Sequence, residues 1–249
     1  MSVISTWFRD LYETTGWNFV YMYEAFEQER LIDGMISTLQ LSAACLVFSI
    51  LIGIVGAWLQ DSPFKLLRWI VQGYISFFRN TPPMVQLMFF YFGLGPYTPA
   101  VDMGGWQEPI IGSVGWAIIS LSFFAGAFNV EIFRSGVEAV PDSTQEAAAS
   151  LGFTRWQSYV YVVFPLALRV SLPALVNNIV NLVKTTTQAF VIAVPEVLYV
   201  SAQMWSDNVN VLEMMITLFA FFMTVVWLIV IAMKRWERSL AIPGYGTQG

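Results

Sequence analysis

The sequence predicts an all-α membrane protein with about five spanning helices, its amino terminus outside and its carboxyl terminus cytoplasmic. Three observations lead there. The 249 residues are 57% hydrophobic and 12% charged, with a mean hydropathy of +0.61, against about 25% charged residues in an ordinary soluble domain. Met35 to Leu59 contains no charged residue and exceeds the roughly 20 apolar residues that cross a bilayer core. Lys and Arg concentrate in alternate connections, which sets the orientation.

The elements are taken in chain order. Met1 to Asp33 mixes acidic residues with Trp7, Phe8, Tyr12, Trp17, Phe19 and Tyr21, a composition suited to an amphipathic segment lying at the headgroup boundary on the outer side. It lacks the basic start and apolar run of a cleavable signal peptide, so the first span is expected to serve as the anchor. Span one is expected at 34–59, ended by the turn chemistry of Asp61-Ser62-Pro63. Residues 66–94 read as a single broken span, because Arg79-Asn80-Thr81-Pro82-Pro83 interrupts it. A Gly/Pro-rich link covers 96–111, and span three 113–133. A polar cytoplasmic loop at 138–165 leads to span four at 167–186, which contains Pro173. A short helix to about Trp205 precedes span five at 209–233, and 239–249 form a cytoplasmic tail. Lys65, Arg68, Arg79, Arg134, Arg155, Arg169, Lys234, Arg235 and Arg238 all fall in the links assigned to the cytoplasm.

Composition removes several chemistries. The chain has no histidine, so the commonest metal ligand and the usual near-neutral acid/base group are missing. Its one cysteine, Cys45, lies inside span one and cannot pair within the chain. A formal charge of -5 argues against nucleic acid as a partner. No Gly-x-x-x-x-Gly-Lys-Ser/Thr phosphate loop occurs, so the chain is not expected to be an enzyme that hydrolyses nucleotide by that route.

The polar loop carries the strongest signal. Ser143 with Glu146 three positions on has capping-box spacing, and Gly152 can close the short helix. Thr154 offers a second start, for a helix stopped by Pro165. Alanines at 147, 148 and 149 permit close approach of a partner surface. Glu146-Ala147-Ala148, then Gly152, then Val162-Val163-Phe164-Pro165 resembles the EAA loop of binding-protein-dependent ABC importer permeases. Gly34 to Leu39, Phe78 to Leu87, Tyr91-Phe92-Gly93 and Glu131-Ile132-Phe133-Arg134 resemble the polar amino acid (histidine/glutamine/glutamate/arginine-type) branch of that family.

The resemblance implies a type I ABC importer (MetI-like) transmembrane domain in a bacterial inner membrane, moving a polar or charged amino acid inward by alternating access. It implies that Glu146, Ala147, Ala148, Gly152 and Phe153 engage a separate ATPase. It implies as partners two ATP-binding cassette subunits, which bind ATP and Mg, an amino acid binding protein on the outer face, and a second permease subunit, identical or homologous. No cofactor is expected on this chain itself. Lys184-Thr185-Thr186-Thr187-Gln188 departs from the branch's Lys-Asp-Thr-Ser-Leu, keeping the lysine and losing the acid.

Span four supplies the candidate substrate path. At 100° per residue, Asn177, Asn181, Lys184 and Gln188 form a narrow polar stripe if helicity persists, and charges at that depth usually face a protein interior or a watery cavity. Lys184 can meet a substrate carboxylate; alternatively it snorkels to headgroups or neutralises Glu131. Glu131 has an i,i+3 partner in Arg134, with substrate contact as the other reading. Arg79 either braces the broken span or contacts the ATPase. A reading from another class is an ion-coupled secondary transporter of small polar solutes, which also places polar groups at broken helices; a membrane enzyme has little chemistry available here.

Overall fold

The computed structural model describes residues 3–102, 104–105 and 107–240. It is helical apart from one small hairpin, and its helices sort into two compact units, with the longest helices contributing to both. Four helical runs are long and apolar enough to cross a membrane: Ala25–Gln60, Ser113–Glu138, Arg155–Ile192 and Val211–Ser239. The remaining stretch is built of shorter pieces. Helix α3 (Lys65–Asn80) ends at Thr81-Pro82, α4 (Pro83–Met88) restarts, and a wide π-helical turn covers Phe89–Leu94.

The first unit comprises 1–44, 83–120 and 183–227. Helix α1 (Val3–Thr15) is amphipathic and buries none of its side chains. Residues 16–33, however, do not simply lie on a surface. Val20 enters a core with Leu31, Val197, Val200, Met204, Met214 and Leu218, and α2 (Ala25–Gln60) begins at Ala25, well before Gly34. Two of the charges that hid this early start are paired: Arg30 meets Glu27 at 3.1 Å and Asp207 at 3.3 Å, and donates to Gln203 at 2.9 Å.

Asn18 fastens this arm to the connection between α9 (Val197–Asn208) and α10 (Val211–Leu240). Its backbone N–H donates to Glu213 Oε1 at 2.8 Å, its Oδ1 accepts from the Tyr23 hydroxyl at 2.6 Å, and its carbonyl accepts from Asn210 Nδ2 at 2.9 Å. Buried amides need such partners, since an unmade bond there costs about 1–3 kcal/mol. Val209, between the two helices, sits at φ +53°, a left-handed position unfavourable for a β-branched residue. The Gly/Pro-rich link forms an exposed antiparallel hairpin of β1 (Ala100–Asp102) and β2 (Gln107–Pro109), with Val101 opposite Glu108.

The second unit comprises 45–82, 121–182 and 228–249; of the expected tail at 239–249, residues 241–249 lie outside the described residues and 239–240 end the last helix. Here α2 crosses α5 (Ser113–Glu138) at two glycines. A Cβ on Gly53 would lie 2.5 Å from Asn129 Cβ, and one on Gly56 would lie 2.4 Å from a Val130 methyl. Small residues allow this approach, the usual packing device inside membranes, where the hydrophobic effect does not drive helices together. Helix α8 (Phe164–Thr185) is tied to α5 by Asn178, whose Nδ2 donates to Asn129 Oδ1 at 2.7 Å and to the Ala125 carbonyl at 3.0 Å. Asn129 in turn donates to Ser49 Oγ at 3.3 Å. Three helices therefore share one buried polar chain. Helix α3 joins them through Val71 and Ile75 against Val130 and through the Tyr74 hydroxyl, which donates to the Phe123 carbonyl at 2.6 Å.

Candidate functional site

The polar loop folds as two short helices. Helix α6 spans Asp142–Ser150. It starts earlier than the Ser143 capping box would place it: Pro141 occupies the cap position at φ -60° without a side-chain cap bond, and Asp142 stands in the first turn. Because the cap position is Pro141, in extended backbone, Ser143 lies inside the helix and cannot cap it. The far end closes on Gly152 at φ +83°. The Gly152 N–H donates to the Ala149 carbonyl at 3.0 Å and the Phe153 N–H to the Ala148 carbonyl at 3.1 Å, the paired bonds of a Schellman turn, which require the left-handed residue.

Helix α7 (Arg155–Ser158) then starts with a full capping box. Thr154 Oγ1 accepts from the Gln157 N–H at 3.3 Å, and Gln157 Oε1 accepts from the Thr154 N–H at 2.9 Å. Pro165 does not end this helical run. A π-helical turn over Tyr159–Val163 widens the helix and leads directly into α8, so the proline ring, which clashes with the carbonyl four residues back in a regular α-helix, falls where the ladder is already relaxed.

This two-helix knob stands on Val140, Val163 and Ala167. Ala148 is buried beneath it, while Glu146, Ala147, Gly152 and Phe153 face outward. Leu151 and Trp156, respectively 80% and 73% exposed, add apolar surface beside Glu146. Among the described residues no cluster of His, Cys, Asp or Glu could hold a metal.

The polar stripe of span four is only partly continuous. Asn177, Asn181 and Lys184 all lie on α8 and are exposed. Beyond Thr185 the chain tightens into a 3₁₀ stretch, Thr186–Ile192, so Gln188 does not extend an α-helical face. The threonines supply the reason. Thr186 Oγ1 donates to the Val183 carbonyl and Thr187 Oγ1 to the Lys184 carbonyl, both at 2.7 Å, and such back-bonding competes with the helical ladder. Gln188 is half-buried, and its Oε1 has no hydrogen-bond partner among the described residues.

Glu131 does not pair with Arg134. Its carboxylate meets Arg79 at the end of α3, and the Arg79 guanidinium also lies over the Phe128 ring at 5.1 Å. Phe128 and Glu131 sit three apart on one face of α5 and together hold the arginine at the end of α3. Arg134 turns instead to Glu138 at 3.7 Å. Sequence reasoning passed over Asn178, Asn129 and Ser49; the adjacent Asn177-Asn178 pair is the one available signal, because neighbours 100° apart on a helix cannot both face outward from the same packed side.

Comparison with known proteins places this architecture. The family model described as binding-protein-dependent transport system inner membrane component matches residues 49–241. The probable amino-acid permease protein YxeN of Bacillus subtilis is 30% identical over 92% of this chain and 98% of its own length. The histidine/lysine/arginine/ornithine transport system permease protein HisQ of Salmonella typhimurium is 32% identical over 67% of this chain and 74% of its own. The crystal structure of an amino acid ABC transporter with histidines superposes with a TM-score of 0.76 at 26% identity, covering 89% of this chain and 99% of the matched one. The inward-facing MetNI methionine ABC transporter shares the fold, with a TM-score of 0.70 at 19% identity over 86% of this chain and 98% of its own. The chain is therefore a multi-pass helical protein of the type I importer fold, and it belongs to the family of inner membrane components of binding-protein-dependent transport systems.

Proposed function

We propose that the chain is the permease subunit of an ATP-driven importer of a polar or charged amino acid, working by alternating access. In this reading, separate subunits bind ATP and Mg and hydrolyse the nucleotide, a solute-binding protein delivers the amino acid from outside, and a second permease completes the path. The observation that supports the coupling role is the α6–α7 knob: two short helices, joined by the Gly152 turn and the Thr154 capping box, that present Glu146, Leu151, Phe153 and Trp156 outward. The names of the relatives support an amino acid as cargo. Lys184 is assigned to the substrate carboxylate, with Asn177, Asn181 and Gln188 orienting polar groups, because exposed amides and a cation on an otherwise apolar helix are otherwise costly in a bilayer.

The test is uptake of labelled amino acids into proteoliposomes holding the permease, its ATPase and its binding protein. Uptake should require ATP, and Leu151→Asp with Trp156→Asp should abolish it while the chain stays folded. Lys184→Met should raise the substrate concentration needed for half-maximal uptake. Uptake driven by an ion gradient without ATP would overturn the proposal in favour of a secondary transporter.

A further inference from the structure

Helix α3 carries the strongest segregation of polar and apolar residues in the chain. Lys65, Arg68, Trp69 and Gln72 recur at i, i+3, i+4 and i+7 and so share one face. Together with Arg134 on α5 they line an open groove of about 860 Å³. Its cations are unequally engaged. Arg134 is occupied by Glu138 at 3.7 Å and interacts with Asp61, whereas Lys65 and Arg68 are exposed and make no ion pair among the described residues. They do not serve α3 itself: its first turn has no acidic residue, and cations there oppose the helix dipole.

The groove's surroundings are apolar. Trp58, Phe64, Leu66 and Trp69 are each at least two-thirds exposed, Trp69 at 80%. Tryptophan beside unpaired cations, with exposed aliphatic and aromatic side chains around them, is the signature of the depth at which headgroups meet acyl chains. The Lys and Arg distribution puts this end of α3 on the cytoplasmic side, where anionic lipids give the leaflet a negative surface potential.

We propose that the groove formed by Lys65, Arg68, Trp69 and Gln72 binds the phosphate headgroup of an anionic phospholipid of the cytoplasmic leaflet. Lys65 and Arg68 supply the charge, Gln72 an amide donor, and Trp69 the contact with the glycerol and upper acyl region. The site is independent of the transported solute and of the knob.

The experiment is lipid titration of the purified full chain by native mass spectrometry, backed by nanodiscs of pure phosphatidylcholine or of an equimolar phosphatidylcholine/phosphatidylglycerol mixture. Phosphatidylglycerol should bind, and phosphatidylcholine should not saturate. At the usual strength of a cation near an anionic surface, each charge removed should weaken association about fivefold, so Lys65→Gln with Arg68→Gln should weaken it about 30-fold. Lys65→Arg with Arg68→Lys should retain binding, and should the double glutamine variant fail to fold, the two single variants carry the test. Equal binding of the two lipids, or unchanged binding in the glutamine variants, overturns the proposal. Competition by inorganic phosphate or by an acidic amino acid in detergent also overturns it, by assigning the groove to a soluble anion, and so does a copurifying subunit cross-linking to Trp69.

Discussion

Placing a methyl group on Gly53 should separate α2 from α5. The new Cβ would lie 2.5 Å from Asn129 Cβ and 3.1 Å from the Asn129 carbonyl carbon, whereas carbons rest about 3.5–4.0 Å apart. Both obstacles are at or next to backbone, so no rotamer change removes them and the helices must part by about 1 Å. Overpacking of this kind costs about 1–3 kcal/mol. The Asn129 to Ser49 hydrogen bond, already at 3.3 Å, lengthens beyond useful range, at about 1 kcal/mol more. Alanine's better helix propensity returns about 1 kcal/mol. The net loss is roughly 2 kcal/mol, which for a chain of this size lowers Tm by about 4–8 °C. Gly73→Ala on α3 meets nothing within 4 Å and should hold or raise Tm, providing the baseline. Thermal unfolding in detergent measures both. A Gly53→Ala protein as stable as Gly73→Ala would refute the close-packed crossing.

Three further outcomes are expected. Glu131→Gln should couple with Arg79→Gln in a double-mutant cycle, by less than about 1 kcal/mol because the pair is partly exposed, and should show no coupling with Arg134→Gln; the reverse pattern would restore the local pair. Glu196 caps α9 by accepting from the Leu198 and Tyr199 N–H groups at 2.9 and 2.8 Å, yet desolvation by burial pushes its carboxyl from 4.5 up to about 7. Between those values the folded chain keeps a proton that the unfolded chain has released. Stability should therefore be full below pH 4.5 and fall by about 3 kcal/mol as pH rises to about 7, and Glu196→Gln should remove that slope in unfolding curves recorded across the range. Val209→Gly should relieve a left-handed β-branched residue that is 88% exposed and raise Tm, with a gain of about 1 kcal/mol; a lower Tm would refute the strain.

Apolar length made the long helices legible, and fixed spacing made the knob legible, because Gly152 and Thr154 act through bonds to residues a few positions away. Features that depend on distant residues were not readable. Whether Glu131 takes Arg134 or Arg79 is decided by where α3 ends, which local sequence does not state. The early start of α2 was hidden by Glu27, Glu29, Arg30 and Asp33, charges that look like surface until Asp207 and Gln203 arrive to meet Arg30. The β1–β2 hairpin was obscured by its own glycine and proline content. Ser143 illustrates a narrower failure: a good capping pattern lost to a proline two positions earlier that starts the helix first.

The bond between Asn18 and Glu213 joins positions 195 apart in the chain. A ribosome delivers the first of these long before the second, and membrane insertion proceeds as synthesis does, from the amino end. Through most of biogenesis, then, the leading arm has no seat, and Asn18 must remain solvated until the final hydrophobic segment has entered the lipid. Its docking is a late latch on assembly, and a nascent chain truncated before Glu213 should leave that arm open to protease.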